Sequence, residues 1–206
     1  MAVRILIAGL VGGIIVFVWG AVAHMATPLG EAGLSQMNGP AEESVLLSMK
    51  ASIDRPGLYF FPGMPGGELG HGADTSAEQQ AAWEAKVKAG PTGLLLYNPA
   101  GSQPMSPRQL GVEFACNIAA ALLGAVLAAN LAGGYLRRVM LVTLIGPVAW
   151  LSLEVSYWNW YGFPGAFVLA ELAMETIGWL LSGLAIAAIA RPRRASEATS
   201  GGLLNA

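Results

Sequence analysis

Predominantly apolar runs of about 20 residues, each long enough to cross a ~30 Å hydrocarbon core, recur four times along the chain. They are Ile5 to Ala23, Phe114 to Leu136, Val139 to about Tyr157, and Gly165 to Ala190. The pattern predicts four transmembrane helices. Arg4 precedes the first run, and Ala21-Val22-Ala23 has the small-x-small form of a signal cleavage site. A signal core spans only about 7 to 15 residues, so this longer run reads as an uncleaved anchor.

The segment between the first two runs has a different rhythm. Pro40 followed by Ala41-Glu42-Glu43 suits a first helical turn, and Val45, Leu46, Met49 and Ile53 continue it at helical spacing. Pro56-Gly57 breaks that helix, and Leu58-Tyr59-Phe60-Phe61 reads as a strand ended by Pro62-Gly63. Gly66 to Asp74 reads as a loop. Thr75 with Glu78 suggests a capping box for a helix through Trp83 to Lys88, stopped by Gly90-Pro91, and Leu94 to Tyr97 forms a second apolar strand. The two strands could pair in parallel as a βαβ unit or antiparallel. Tyr59, Phe60, Trp83, Leu95 and Tyr97 are the expected core of this small domain. Ser106-Pro107-Arg108-Gln109 supplies a cap and first turn for the second membrane helix. The predicted fold is thus an all-α membrane bundle with a small extracytoplasmic α+β domain inserted between helices 1 and 2. Its parts are helix 1 (1–25), the α+β domain (26–106), helices 2 to 4 (107–192) and a small, polar, disordered tail (193–206).

Composition agrees with a membrane location. Of 206 residues, 54% are hydrophobic and 12% charged, against about 25% charged in soluble domains. A net charge of -2 with no long basic run removes the footprint of a nucleic-acid binder. Cys116 is the only cysteine, which excludes an intrachain disulfide or a CxxC redox pair. Only His24 and His71 could ligate haem through imidazole, and they cannot form an intramembrane pair. Six basic residues, Arg4, Arg137, Arg138, Arg191, Arg193 and Arg194, flank the runs on one side, with Arg137 and Arg138 assigned to the tight turn between helices 2 and 3. That bias predicts cytoplasmic termini and places residues 26–112 outside. The Trp158-to-Pro164 connection is then an aromatic anchor at the outer interface.

The most informative chemistry is acidic. Glu113, Glu154, Glu171 and Glu175 lie in or beside the spans, with no lysine or arginine inside those spans to pair with them. Glu171, Glu175, Gly178 and Ser182 share one face of the fourth helix, and Thr143, Pro147, Trp150 and Glu154 one face of the third. Asn117, Ala120, Gly124 and Ala128 line the second, and Gly9, Gly13, Gly20 and His24 the first. Counting rises at about 1.5 Å per residue puts Glu154 level with Glu171. The candidate functional layer is therefore His24, Asn117, Glu154, Glu171 and Glu175. It could hold a proton, a cation or a cationic ligand, because ionisable groups in lipid are costly and face a cavity or partner. Its structural alternative, the preferred one, has protonated glutamates bonded to Asn117, Ser152, Ser156 or backbone carbonyls. A divalent-metal site from His24, Glu154, Glu171 and Glu175 is chemically suitable but lacks a local motif. No catalytic constellation and no cofactor motif stands out. His71, among glycines, reads as a solvated loop residue, and Gly9-xxx-Gly13 as a weak packing signal.

Three blocks, Pro56-Gly-Leu-Tyr-Phe-Phe-Pro62, Ser106-Pro-Arg-Gln-Leu110 and Val155-Ser-Tyr-Trp-Asn-Trp-Tyr-Gly-Phe-Pro164, resemble those of a group of bacterial four-helix membrane proteins of unknown function. The resemblance spans about Pro40 to Pro192. It implies a bacterial inner-membrane location and supplies no catalytic residue, substrate or cofactor. The expectation from these features is a non-enzymatic accessory, structural or assembly subunit of a larger membrane complex. Its partners would be the lipid bilayer and other membrane subunits or further copies of itself. The rival expectation is a small ion- or proton-coupled transporter using the intramembrane glutamates.

Overall fold

The computed structural model describes residues 1–65 and 75–191. The expectations for the 66–74 loop, His71, Arg193, Arg194 and the tail lie outside the described residues. The described residues form two compact units.

The first unit comprises Met1–Leu34, Met105–Asn159 and the described residues from Phe163 onward. Helix α1 runs from Ala2 to Ala26, longer at both ends than its apolar run. A 3-10 turn, Pro28–Glu31, follows it, with the Thr27 hydroxyl accepting from the Leu29 amide and donating to the Ala23 carbonyl. Helix α4 extends from Pro107 to Asn130 and opens on the expected Ser106–Gln109 capping box, which satisfies two otherwise free amides reciprocally.

One expectation for the next segment needs correction. Helix α4 stops at Asn130 rather than Leu136, and Arg137 and Arg138 belong to the first turn of α5 (Tyr135–Thr143) rather than to the connection. The actual turn ends in Gly133, at φ 129°, followed by Gly134 as N-cap. That dihedral is open to glycine and strained for other residues, so the reversal falls there and not at the arginines. The third apolar run lies within one helical stretch of membrane-spanning length, Tyr135–Tyr161, as expected. Single-residue turns at Leu144 and Leu153 mark it off into α5, α6 (Ile145–Ser152) and α7 (Glu154–Tyr161), with i to i−4 backbone bonds on both sides of each. Pro147 lacks the amide that would bond the Thr143 carbonyl, and its ring crowds that carbonyl, which removes one bond of the ladder at the first turn. At the second turn the Ser152 hydroxyl bonds the Val148 and Ala149 carbonyls, a back-bonding pattern that bends helices. Helix α8 spans Gly165–Ile189.

The helices meet through small residues. Ala8, Ala121, Ala125, Ala128 and Ala129 form the core with Val142, Trp179 and Ile186. Helix α8 packs against α1, α4, α5 and α6. The Gly9-xxx-Gly13 pair is a genuine contact: a Cβ at Gly9 or Gly13 would collide with α4 at Leu122 or Ile118, in both cases with backbone as well as side chain. Gly20 has open space instead.

The second unit contains Ser35–Pro104 with Trp160–Gly162. Helix α2 is Pro40–Ser52, β1 Gly57–Phe61, α3 Ala77–Ala89 and β2 Gly93–Tyr97. The strands pair antiparallel, with Leu58 opposite Leu96 and Phe61 opposite Gly93, so the βαβ alternative does not apply. Gly93 helps fix that register, because a Cβ there would come 2.5 Å from the Phe61 ring. The α3 capping box lies one residue later than expected, at Ser76 and Gln79. Both of its bonds form there, 3.2 Å from the Gln79 amide and 3.0 Å from the Ser76 amide, and Gln79 provides the N3 side chain that Glu78 was expected to supply.

The expected buried core of this unit is absent among the described residues. Tyr59, Trp83, Leu95 and Tyr97 are only half-buried and Phe60 is exposed, although the Trp83 indole does donate to the Pro62 carbonyl at 3.2 Å. A chain this short has too much surface per volume to enclose many side chains.

The glycine contacts separate two substitutions of equal chemistry. Gly13→Val should lower stability by about 1 to 3 kcal/mol through overpacking against α4, whereas Gly20→Val should leave it unchanged. Thermal unfolding of each variant in mild detergent checks this, and equal midpoints would reject the close α1–α4 contact.

Candidate functional site

The residues of the polar layer are carried by four helices of the first unit, α1, α4, α7 and α8. Glu171 and Glu175 are half-buried one turn apart on α8, and Gly178 and Ser182 continue their stripe fully buried. Thr143, Pro147, Trp150 and Glu154 are all half-buried, as the face reading requires. Glu171 lies within electrostatic range of His24, Glu154 and Glu175, and Glu175 within range of Glu113 and Glu154. The structure therefore brings the acids of three helices together. His24 sits in the last turn of α1 with its residue exposed.

Depth along the bundle differs in detail from the sequence count. A Cβ on Gly146 would touch the Glu175 carbonyl oxygen at 2.7 Å, so α6 and α8 pack backbone to backbone at that level. Trp150, one turn along, reaches the Val168 carbonyl. With antiparallel helices in this register, Glu154 is offset from Glu171 by about one turn, ~6 Å, toward the start of α8. The two acids are neighbours but not level, because α5 begins at Tyr135, ahead of both arginines, which adds rise before Glu154.

Each polar group has its own hydrogen-bonding situation. The Trp179 indole donates to Oε2 of Glu175 at 3.0 Å, four residues apart on the same helix. Asn117 donates to Glu113 Oε1 at 3.1 Å, also within one helix, so its amide group is not joined to the glutamates of α7 and α8. Ser152 is occupied by carbonyls of its own helix. Oε2 of Glu154 is buried and has no hydrogen-bond partner, and Oγ of Ser182 is in the same condition. A buried carboxyl oxygen without a donor is costly, and a proton, a cation or an outside donor would relieve it. Glu154 is also the first residue after the turn at Leu153. Among the described residues, no three His, Cys, Asp or Glu side chains group tightly enough to hold a metal ion.

Hydrogen bonds between distant parts of the chain do much of the positioning. The Trp19 indole donates to the Met174 carbonyl at 2.8 Å, and the Trp150 indole to the Val168 carbonyl at 2.7 Å. These bonds hold α1 and α6 against the stretch of α8 that carries Glu171 and Glu175. Arg138, 7% exposed, donates to the carbonyls of Gly133 at 2.9 Å and Ala187 at 3.1 Å. Its cation caps the carbonyl end of α8, where the helix dipole favours positive charge. The i, i+4 spacing of Glu175 with Trp179 and of Glu113 with Asn117 was visible in the sequence. The targets of Trp19, Trp150 and Arg138, up to 155 residues away, were not.

Four helices long and apolar enough to cross a membrane, joined around this polar layer, define a multi-pass membrane protein. No family model matches the chain, and comparison with curated proteins and with solved structures finds no similar protein.

The indole bonds give a direct test. Trp150→Phe removes the indole donor and leaves a smaller aromatic ring at a half-buried site, so stability should fall by at least about 1 kcal/mol, while Trp158→Phe, at a residue 54% exposed, should have little effect. Detergent unfolding midpoints read both, and an unchanged Trp150→Phe variant would show that the bond to α8 contributes nothing.

Proposed function

We propose that the protein is a non-enzymatic accessory or assembly subunit of a bacterial inner-membrane complex. Helix α2 carries this reading. It is amphipathic, none of its residues is buried, and Leu46 and Leu47 are 48% and 68% exposed. Among the described residues no other element packs along it. An isolated helix of 13 residues is marginal in water, so a partner protein covering Leu46 and Leu47 would stabilise it. The glutamates fit the same reading, since Glu175 already serves as an acceptor within its own helix.

Both termini are placed in the cytoplasm and the second unit in the periplasm, on the bias of the arginines around the spans. In a Cys116→Ser background, a cysteine at Gly70 should react with an impermeant label in intact cells and one at Ser200 should not. Labelling at Ser200 alone would reverse the orientation.

Mild-detergent purification should recover a stoichiometric partner that Leu46→Asp/Leu47→Asp loses without loss of folded protein. Recovery of this chain only, unaffected by those changes, would count against the accessory role. The second reading, an ion- or proton-coupled transporter, is favoured by one observation, the buried and partnerless Oε2 of Glu154 within a membrane span. Ionisable groups inside spans are costly and often mark ion or proton pathways. Under the accessory reading, Glu154→Gln, Glu171→Gln and Glu175→Gln keep abundance and partner association. A folded, assembled glutamine variant with a null phenotype would promote the transporter.

A further inference from the structure

We infer that one face of the two-stranded sheet is a lipid-contacting surface that lies in the headgroup–acyl boundary of the bilayer. Alternate residues of a strand share a face, and cross-strand partners share it too. The pairs Leu58 with Leu96 and Phe60 with Leu94 therefore place four apolar side chains side by side. No charged or hydrogen-bonding side chain interrupts them. Leu96 is 81% exposed, Leu58 56% and Phe60 42%. On the opposite face Tyr59, Leu95 and Tyr97 are half-buried and Phe61 is 42% exposed, and two tyrosine hydroxyls interrupt it, so the wholly apolar face carries the two most exposed side chains of the sheet, Leu96 and Leu58. That exposure is unfavourable in water and favourable against lipid.

The choice of occupant rests on continuity with the membrane boundary. Within the same unit the Phe60 ring packs on Tyr161, with centroids 5.8 Å apart and a 47° tilt. Tyr161 is the last residue of the third membrane-spanning candidate, Tyr135–Tyr161. The residue that this face touches is therefore also the one that ends a span, where hydrocarbon gives way to headgroups. Trp160, 77% exposed, belongs to the same unit and precedes Tyr161. Indole and phenol rings at such a position prefer the interface, because they bury an apolar ring while keeping a polar edge wet. Leu58, Phe60 and Leu96 add apolar depth to this aromatic pair. The surface is distinct from α2, whose proposed occupant is a protein.

The test uses the full chain in phosphatidylcholine vesicles, with Cys116→Ser and a single cysteine carrying an environment-sensitive fluorophore. At Leu96→Cys, emission should fall roughly twofold with headgroup-nitroxide lipid and resist aqueous iodide, as for a group seated in the interface. At Glu84→Cys on α3, iodide should quench and nitroxide lipid should not. Leu58→Cys reads the same face if Leu96→Cys does not purify as a folded protein. Equal iodide quenching at positions 96 and 84 with no lipid quenching would overturn the proposal. So would emission at position 96 that depends on the protein-to-lipid ratio through self-quenching, which would assign the face to a second copy of this chain.

Discussion

Close backbone approach along α8 is the constraint on which the bundle depends. Lipid tails are as apolar as leucine, so helices gain little from the hydrophobic effect by leaving lipid for each other, and dispersion in tight contacts has to hold them. The glycines occur where that approach is tightest. A Cβ on Gly12 would meet Ser182 Oγ at 2.8 Å, one on Gly146 would meet the Glu175 carbonyl, and one on Gly183 would meet the Val139 carbonyl at 3.1 Å. At Gly178 the space is filled by the Trp19 ring, whose indole then reaches the Met174 carbonyl. Packing and hydrogen bonding thus reinforce one another along a single helix.

That arrangement determines what the polar layer can be. Because α6 touches α8 at Glu175, the helical stretch beyond it carries Glu154 to within range of Glu171. Just before that residue the Ser152 hydroxyl donates to the Val148 and Ala149 carbonyls of its own helix. At the other end of the bundle, Arg138 buries its guanidinium against the carbonyl ends of α8 and the preceding turn, so the charge is met by dipoles rather than by a carboxylate. The acids and this arginine are therefore separate devices.

The second unit obeys a different rule. It makes its elements from local signals, Pro at the start of α2, a capping box on α3, Gly93 opposite Phe61, but among the described residues no side chain of these elements is fully buried. Small domains fold on marginal margins, and the usual remedies are disulfides, metals or association. With Cys116 as the only cysteine, a disulfide within the chain is excluded. The proposed association with lipid on one face and with protein on another would turn the same deficit to attachment.

The sequence by itself determined whatever depends on neighbours in the chain. Apolar length marked the four spans, and Ser106 with Gln109 marked the start of α4, because span and cap are local properties. The inward faces of α4 and α8 were legible too, since periodicity alone decides which residues share a face. The Ser76 box, one residue from its expected place, erred only in register, as two overlapping cap patterns compete there. Tertiary structure decided the rest. Whether Gly13 was a contact and Gly20 was not, whether Trp19 had an acceptor, and whether Glu154 lay level with Glu171 all depend on how one helix slides and rotates against another. That choice is set by the summed packing of many side chains from distant parts of the chain, which no local pattern records.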